Sequence, residues 1–325
     1  MDQNPKDIQS ALYPCDLHVH TTRSDGNDTY PELIASAAEA GLCVIAVTDH
    51  DVLPALDLNG QSVHDLALDA GIALLPGCEF SCETEIDDCH IKVIGGNWED
   101  AAMRRIVDDI AASKSGSYLE LLDILKGKGM PIDLEELLAF GNPIAVEDLQ
   151  KKRIFEFMAY KGYTRDWVSA KLMVRDDPEL SVKRKKPAAA SVIRAAHASG
   201  GVVCLAHPFL MDPAVRFQGQ QTSRKEWIEV LIREGLQGIE ASYTYDKTTT
   251  REPHTKEEIA EMVREAYEGR IFIDGGSDYH ADHKKGVKDP RRLGECGLRL
   301  DEFCATPYAD LLTPAQLSLL ECKRK

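Results

Sequence analysis

The chain has 325 residues, 38 Lys and Arg against 54 Asp and Glu, and a formal net charge of −16. That length suffices for one large α/β domain with an insertion, or for two ordinary domains. The acidic balance argues against a general nucleic-acid surface, though not against a short nucleic-acid end held locally. Nine scattered cysteines with no C-x-x-C pair fit reduced thiols in a cytoplasmic protein. The polar start, residues 1–10, has no signal-peptide pattern. No apolar run approaches the roughly 20 residues of a membrane span, so no membrane association is expected.

In chain order, residues 15–19 read as a short buried strand, Cys-Asp-Leu-His-Val. Residues two apart on a strand share a face. His18 and His20 therefore point the same way, and Asp25 follows in the next loop. Two imidazoles and a carboxylate so spaced suit a divalent metal. Thr29-Tyr30-Pro31-Glu32 is a helix start and Gly41 its stop. Residues 42–47 are apolar on both faces, as in a parallel strand covered by helices. They end in Thr48-Asp49-His50-Asp51, and α/β barrels place their chemistry at such strand ends.

The rhythm repeats. A helix over 62–70 and a strand over 72–75 lead to Glu79. His90 opens a strand over 91–94. Further on, 202–205 leads to His207, 238–241 to Tyr243 and Tyr245, and 271–273 to Asp278 and His280. About seven buried strands are expected, nearly all with a His, Asp or Glu at the edge. Between Gly96 and His207 the periodicity turns helical, over 103–125, 134–138, 153–160 and 188–198. This predicts a barrel formed by 1–100 and 199–325, with a helical insertion, 101–198, covering the active site. Two basic runs lie in the insertion, Lys151-Lys152-Arg153 and Lys183-Arg184-Lys185-Lys186. Each is either a solvated loop or helix end, or a binder of substrate. Cys78, Cys82 and Cys89 match no zinc-finger spacing and read as buried apolar side chains.

The strand-end residues are His18, His20, Asp25, His50, Glu79, His90, His207, Asp278 and His280. Six imidazoles and three carboxylates exceed the needs of one ion. With Glu79 shared they would serve two or three divalent metals, Mn²⁺, Fe²⁺ or Zn²⁺. His64, His197 and His254 lack strand ends and read as structural or surface residues. Asp16 and Asp51 adjoin ligands and are candidates to orient imidazoles. Asp51 is also a candidate general acid, and His283 a candidate proton donor.

The motifs D-L-H-V-H-T-T-x-S-D-G at 16–26, T-D-H-D at 48–51, G-x-E at 77–79, A-H-P at 206–208 and S-D-x-H at 277–280 together resemble the PHP (polymerase and histidinol phosphatase) metallophosphoesterases. The resemblance implies a distorted (β/α)₇, TIM-like barrel with three metals. His18, His20, Glu79 and Asp278 would hold one; Glu79, His90 and His207 a second; Asp25, His50 and His280 a third. It further implies hydrolysis of a small phosphorylated metabolite, a sugar or nucleotide monoester or a cyclic phosphodiester, by metal-activated hydroxide attack on phosphorus. Lys151, Lys183, Arg184 and Lys186 are the candidate substrate-binding residues. The chain departs from the small-molecule branch in being Lys-rich where an Arg-centred helix start is expected, near Lys151. A 5′–3′ exonuclease acting on oligonucleotide ends is the alternative. A metal-dependent amidohydrolase ranks lower, since Glu79 stands where a bridging lysine is expected, and a decayed metal-binding module lower still.

Overall fold

The computed structural model describes residues 11–146, 149–180, 182–248 and 253–323; the polar start considered above lies outside them. Contacts divide the chain into two units, residues 1–107 with 188–325, and residues 108–187.

The first unit is organised by seven strands, β1 (Cys15–Val19), β2 (Val44–Val47), β5 (Ala73–Ser81), β6 (His90–Ile94), β7 (Val202–Leu205), β10 (Gly238–Ser242) and β11 (Phe272–Gly275). Each pairs with the next in that order. Two short hairpins account for the other labels: β3 (Asp57–Leu58) with β4 (Gln61–Ser62), and β8 (Ala214–Phe217) with β9 (Gln220–Ser223). Their turns, Asn59-Gly60 and Gln218-Gly219, have positive φ at both positions, the geometry of tight hairpin turns. Beyond β11 the chain bridges back to β1: Val19 pairs with Tyr279, and His20 N donates to the Tyr279 carbonyl at 2.9 Å. The result is a nearly closed, distorted α/β barrel.

Helices cover it for the reason the apolar runs indicated. In α1 (Tyr30–Glu39) Thr29 and Glu32 form a capping box, and Leu33, Ile34 and Ala37 pack with Ile45, Val47, Ile72 and Leu74. Around the rest of the unit stand α2 (Val63–Asp69), α7 (Ala189–Ser199), α8 (Arg224–Arg233), α9 (Lys256–Tyr267), α10 (Leu300–Cys304) and α11 (Pro314–Lys323). A second apolar cluster joins Cys15, Leu17, Val44, Ala73 and Leu75 to Phe303, Tyr308 and Leu320 from the C-terminal segment.

Two features differ from a regular parallel barrel. Strand β5 runs on to Ser81, so Glu79 lies within it rather than beyond its end. Strand β6 is antiparallel to both neighbours. Its first residue, His90, therefore stands at the same rim as the last residues of the parallel strands.

The second unit contains most of α3 (Ala101–Gly127), with α4 (Leu134–Ala139), α5 (Lys151–Tyr160) and α6 (Trp167–Asp176). Its core is Leu121, Leu125, Leu137, Ile154, Phe157, Met158, Ala170 and Val174. Arg153 is consumed inside this unit. Its guanidinium donates to the carbonyls of Leu137, Leu138 and Asn142, each at 2.9 Å, and to that of Phe140.

Candidate metal centre

Strand β1 presents Asp16 and His18, and His20 just past its end, to one face, while Leu17 and Val19 turn away into apolar clusters. The loop after it is shaped by Asp49, whose carboxylate accepts from Thr21 N (2.8 Å), Thr21 Oγ1 (2.7 Å) and Ser24 Oγ (2.7 Å). This returns Asp25 toward the strand. Gly26 is needed there, because a Cβ would lie 2.5 Å from the His20 carbonyl oxygen. The carboxylate of Asp16 accepts from Ser277 N, Ser277 Oγ and Gly294 N at 2.8, 2.6 and 2.8 Å, and so fixes the segment after β11 that carries Asp278 and His280. Asp16 thus orders main chain rather than an imidazole.

Glu79 is fully buried at the centre. Its Oε2 lies 3.0 Å from His18 Nε2, 3.3 Å from His20 Nε2 and 3.2 Å from His50 Nδ1. Its Oε1 lies 3.0 Å from His90 Nδ1 and 2.9 Å from His207 Nε2. Asp278 Oδ1 is 3.1 Å from His20 Nε2 and 3.6 Å from His18 Nε2. Asp25 Oδ1 is 3.1 Å from His280 Nε2, and Asp25 Oδ2 is 4.0 Å from His50 Nε2. All nine candidates therefore converge. Among the described residues three groups have donor atoms within 4.8 Å of one another: His18, His20, Glu79 and Asp278; His20, Asp25, His50 and His280; and His50, Glu79 and His90. His20 and His50 thus each join two groups, which the sets implied by the family did not anticipate. His207 reaches the cluster through Glu79.

The donor atoms fit divalent ions. Both ring nitrogens of His20, and Nδ1 of His50 and His207, are buried with no hydrogen-bond partner, although carboxylate oxygens stand 3.1–3.3 Å from His20 Nε2 and His50 Nδ1 and 3.8 Å from His20 Nδ1. Buried polar atoms are ordinarily paired, and nitrogens and oxygens converging without hydrogen-bond geometry are arranged as ligands to a common centre. Mixed imidazole and carboxylate donors suit first-row transition ions.

Without metal the cluster is electrostatically tight. Burial opposes charge on His18, yet Glu79, Glu240 and Asp278 outweigh it and raise its pKa to about 9. His20 is raised well above its usual value against the same burial, by Asp278 and Glu79. Burial lowers His50 to about 4. Burial likewise opposes ionisation of Glu79 and Asp278, but the surrounding imidazoles hold both well below the usual carboxylate range.

The other candidates are placed less centrally. The Asp51 carboxylate accepts from Ser81 N (2.9 Å) and Ser81 Oγ (3.1 Å). His283 is exposed in a short 3₁₀ turn, Asp282–Lys285. Lys151, Lys183, Arg184 and Lys186 belong to the second unit; Lys183 is exposed, and the other three are half-buried. His197 Nε2 meets the Gly235 carbonyl at 2.8 Å, and His64 meets Gln316. Cys78, Cys82 and Cys89 are buried free thiols.

Several functional neighbours escaped sequence reasoning. Tyr243 Oη donates to Asp278 Oδ2 at 2.7 Å, and Arg291 pairs with the same oxygen. Glu240 meets His18 Nδ1 at 3.1 Å and is paired with the buried Lys92. The available signal was a lone charge within an apolar strand, Gly-Ile-Glu-Ala at 238–241 and Ile-Lys-Val-Ile at 91–94. A buried charge requires a partner.

Comparison with known proteins agrees with this geometry. Residues 16–169 match the PHP domain. The chain is 25% identical over 275 residues to a phosphoribosyl 1,2-cyclic phosphate 1,2-diphosphodiesterase of Eggerthella lenta, covering 82% of this chain and 93% of the relative. It is 25% identical over 272 residues to a 5′-3′ exoribonuclease of Haemophilus influenzae, covering 82% and 89%. Two solved structures share the fold. One is an amidohydrolase of Chromobacterium violaceum, with TM-score 0.63, 20% identity and coverage of 92% and 95%. The other is a Bifidobacterium adolescentis protein classed as a metal-dependent phosphoesterase, with TM-score 0.62, 22% identity and coverage of 92% and 98%. The PHP domain match, residues 16–169, takes in six of the nine converging side chains: His18, His20, Asp25, His50, Glu79 and His90.

Proposed function

We propose that the protein hydrolyses the phosphate ester of a small phosphorylated metabolite, a sugar or nucleotide monoester or a cyclic phosphodiester. The observation that carries this reading is the division of the Glu79 carboxylate, Oε2 toward His18, His20 and His50, Oε1 toward His90 and His207. One carboxylate faces two donor groups, as a bridging ligand does in a multinuclear site. Divalent ions held there supply a water of lowered pKa as nucleophile and offset the charge on the phosphate.

The chain's own residues do the rest. His18, His20, Glu79 and Asp278 would hold one ion, Glu79, His90 and His207 a second, with His50 beside Glu79, and Asp25, His50 and His280 a third. Asp278 keeps Oδ1 toward the imidazoles because Tyr243 and Arg291 occupy Oδ2. Asp51 and His283 are the candidate proton donors to the leaving group. Lys151, Lys183, Arg184 and Lys186 carry the substrate-binding part of the proposal; their alanine variants are expected to raise KM more than they lower kcat.

A small substrate is favoured by the net charge of −16, which repels long polyanions, and by the coverage of the cyclic phosphodiesterase relative. Exonucleolytic attack on an RNA end is the second reading, favoured by the exoribonuclease relatives. Phosphate release from monoesters, nucleotide bisphosphates and cyclic phosphates, measured with Mn²⁺ beside digestion of 5′-labelled oligoribonucleotides, separates the two. Full activity in metal-depleted protein would refute both.

A further inference from the structure

Lys92 is a cation with no surface exposure, in the interior of β6 and surrounded by apolar neighbours in sequence. Its three donors are all used. Nζ reaches Glu240 Oε1 at 2.6 Å, the Leu17 carbonyl at 3.2 Å and Asp274 Oδ2 at 3.0 Å. Glu240, itself fully buried on β10, then meets His18 Nδ1 at 3.1 Å through Oε1 and accepts from the His207 backbone N–H at 2.8 Å through Oε2. Asp274, on β11, accepts from Tyr308 Oη at 3.1 Å and from Gly275 N at 2.8 Å. A continuous polar chain therefore runs from Tyr308 through Asp274, Lys92 and Glu240 to two candidate ligands, crossing four strands.

We propose that Lys92 and Glu240 are a positioning pair for the metal centre: Lys92 fixes the Glu240 carboxylate, and Glu240 fixes both the His18 ring and the main chain of His207. A carboxylate at Nδ1 sets the proton there and leaves the Nε2 lone pair for an ion. His18 Nε2 is the nitrogen that faces Glu79 and Asp278. The second contact acts on backbone geometry. His207 has φ +26, a sparsely populated conformation that persists only where surroundings over-determine it, and its N–H is held by Glu240. One ionised side chain thus sets a ligand on β1 and another beyond β7, and Lys92 keeps it from turning away.

The inference rests on the metal-dependent reading above, and it predicts a sign that simple electrostatics does not. Removing a cation beside a site for cations should tighten their binding. Removing a positioning residue should weaken it, by roughly 10- to 100-fold for an outer partner of a ligand. The test is titration of the full chain with Mn²⁺ alone, bound ion being read from loss of the free-ion EPR signal. Lys92→Met is the direct variant, but it strands two buried carboxylates. Lys92→Met/Asp274→Asn keeps the net charge of the cluster unchanged while removing the anchor. Glu240→Gln, close to isosteric, breaks the chain at its centre.

The expected result is Mn²⁺ binding at least about tenfold weaker than wild type in the double variant, where electrostatics alone predicts no change, and weaker binding also in Glu240→Gln, where electrostatics predicts the same sign, with circular dichroism unchanged. Wild-type-like or tighter Mn²⁺ binding in a folded variant would overturn the inference and leave the proposed function standing. Wild-type protein that binds no Mn²⁺ would overturn both.

Discussion

His90 Nδ1 lies 3.0 Å from Glu79 Oε1 although the two residues stand on strands that run in opposite directions. Because β6 is reversed, its first residue and the late part of β5 share one rim, and His90 reaches the face of Glu79 that His18 and His20 do not. His90→Ala should therefore empty one part of the centre and spare the other. We expect metal content by elemental analysis to fall by about one ion per chain, as one of two or three groups loses a ligand, with phosphate release strongly reduced and the fold intact. His18→Ala, which removes a ligand from the opposite side of Glu79, should abolish turnover. Unchanged metal content in both would contradict the assignment.

Metal loading should release protons. His18 is raised to about 9, and His20 is also well above its ordinary value, burial being outweighed by carboxylates, so both are protonated at neutral pH in the metal-free fold. Ligation requires neutral imidazole. Affinity for Mn²⁺ should therefore rise as pH rises from 7 toward 9, and calorimetry in buffers of different ionisation enthalpy should report about two protons released per chain. The metal-free protein follows the other side of the linkage. A histidine pKa raised from 6.5 to about 9 contributes stability that is complete below 6.5 and lost as pH climbs through 9. A metal-free stability that increases over that interval would contradict these charges.

Tyr243 and Arg291 share Asp278 Oδ2, and each should matter without touching an ion. Tyr243→Phe deletes one donor and leaves the other. Arg291→Ala leaves a buried carboxylate to reorient. We expect both to weaken Mn²⁺ binding, the arginine variant more, within the roughly 10- to 100-fold range of outer-sphere partners. Equal wild-type affinities would mean that the strand alone holds Asp278.

Gly276 is a close-approach position. A Cβ there would meet His18 Cβ at 2.3 Å and His18 N at 2.6 Å, both too near for the main chain to give way cheaply. Gly276→Ala should cost about 1–3 kcal/mol or more in overpacking and displace His18 in the molecules that fold. Denaturant unfolding and metal content check the two effects separately. In the second unit, Arg153→Ala removes the guanidinium that joins the carbonyls of Leu137, Leu138, Phe140 and Asn142. It should lower stability by about 1–3 kcal/mol and expose residues 134–146 to proteolysis.

The sequence by itself determined the barrel class, the resemblance to PHP proteins and the nine side chains that converge, because each of those signals is local. Strand periodicity puts His18 and His20 on one face, an apolar run buried on both faces requires helices over it, and a capping box at Thr29 fixes where one begins. Only the tertiary structure decided how the ligands are shared. Strand direction is a matter of pairing, so the reversal of β6 that brings His90 to Glu79 had no mark in residues 90–94. The same holds for Glu240 and Lys92, whose meaning lies in which strands become neighbours across the barrel: each is an isolated charge in an apolar strand until folding places the other 2.6 Å away, and His18 3.1 Å from Glu240.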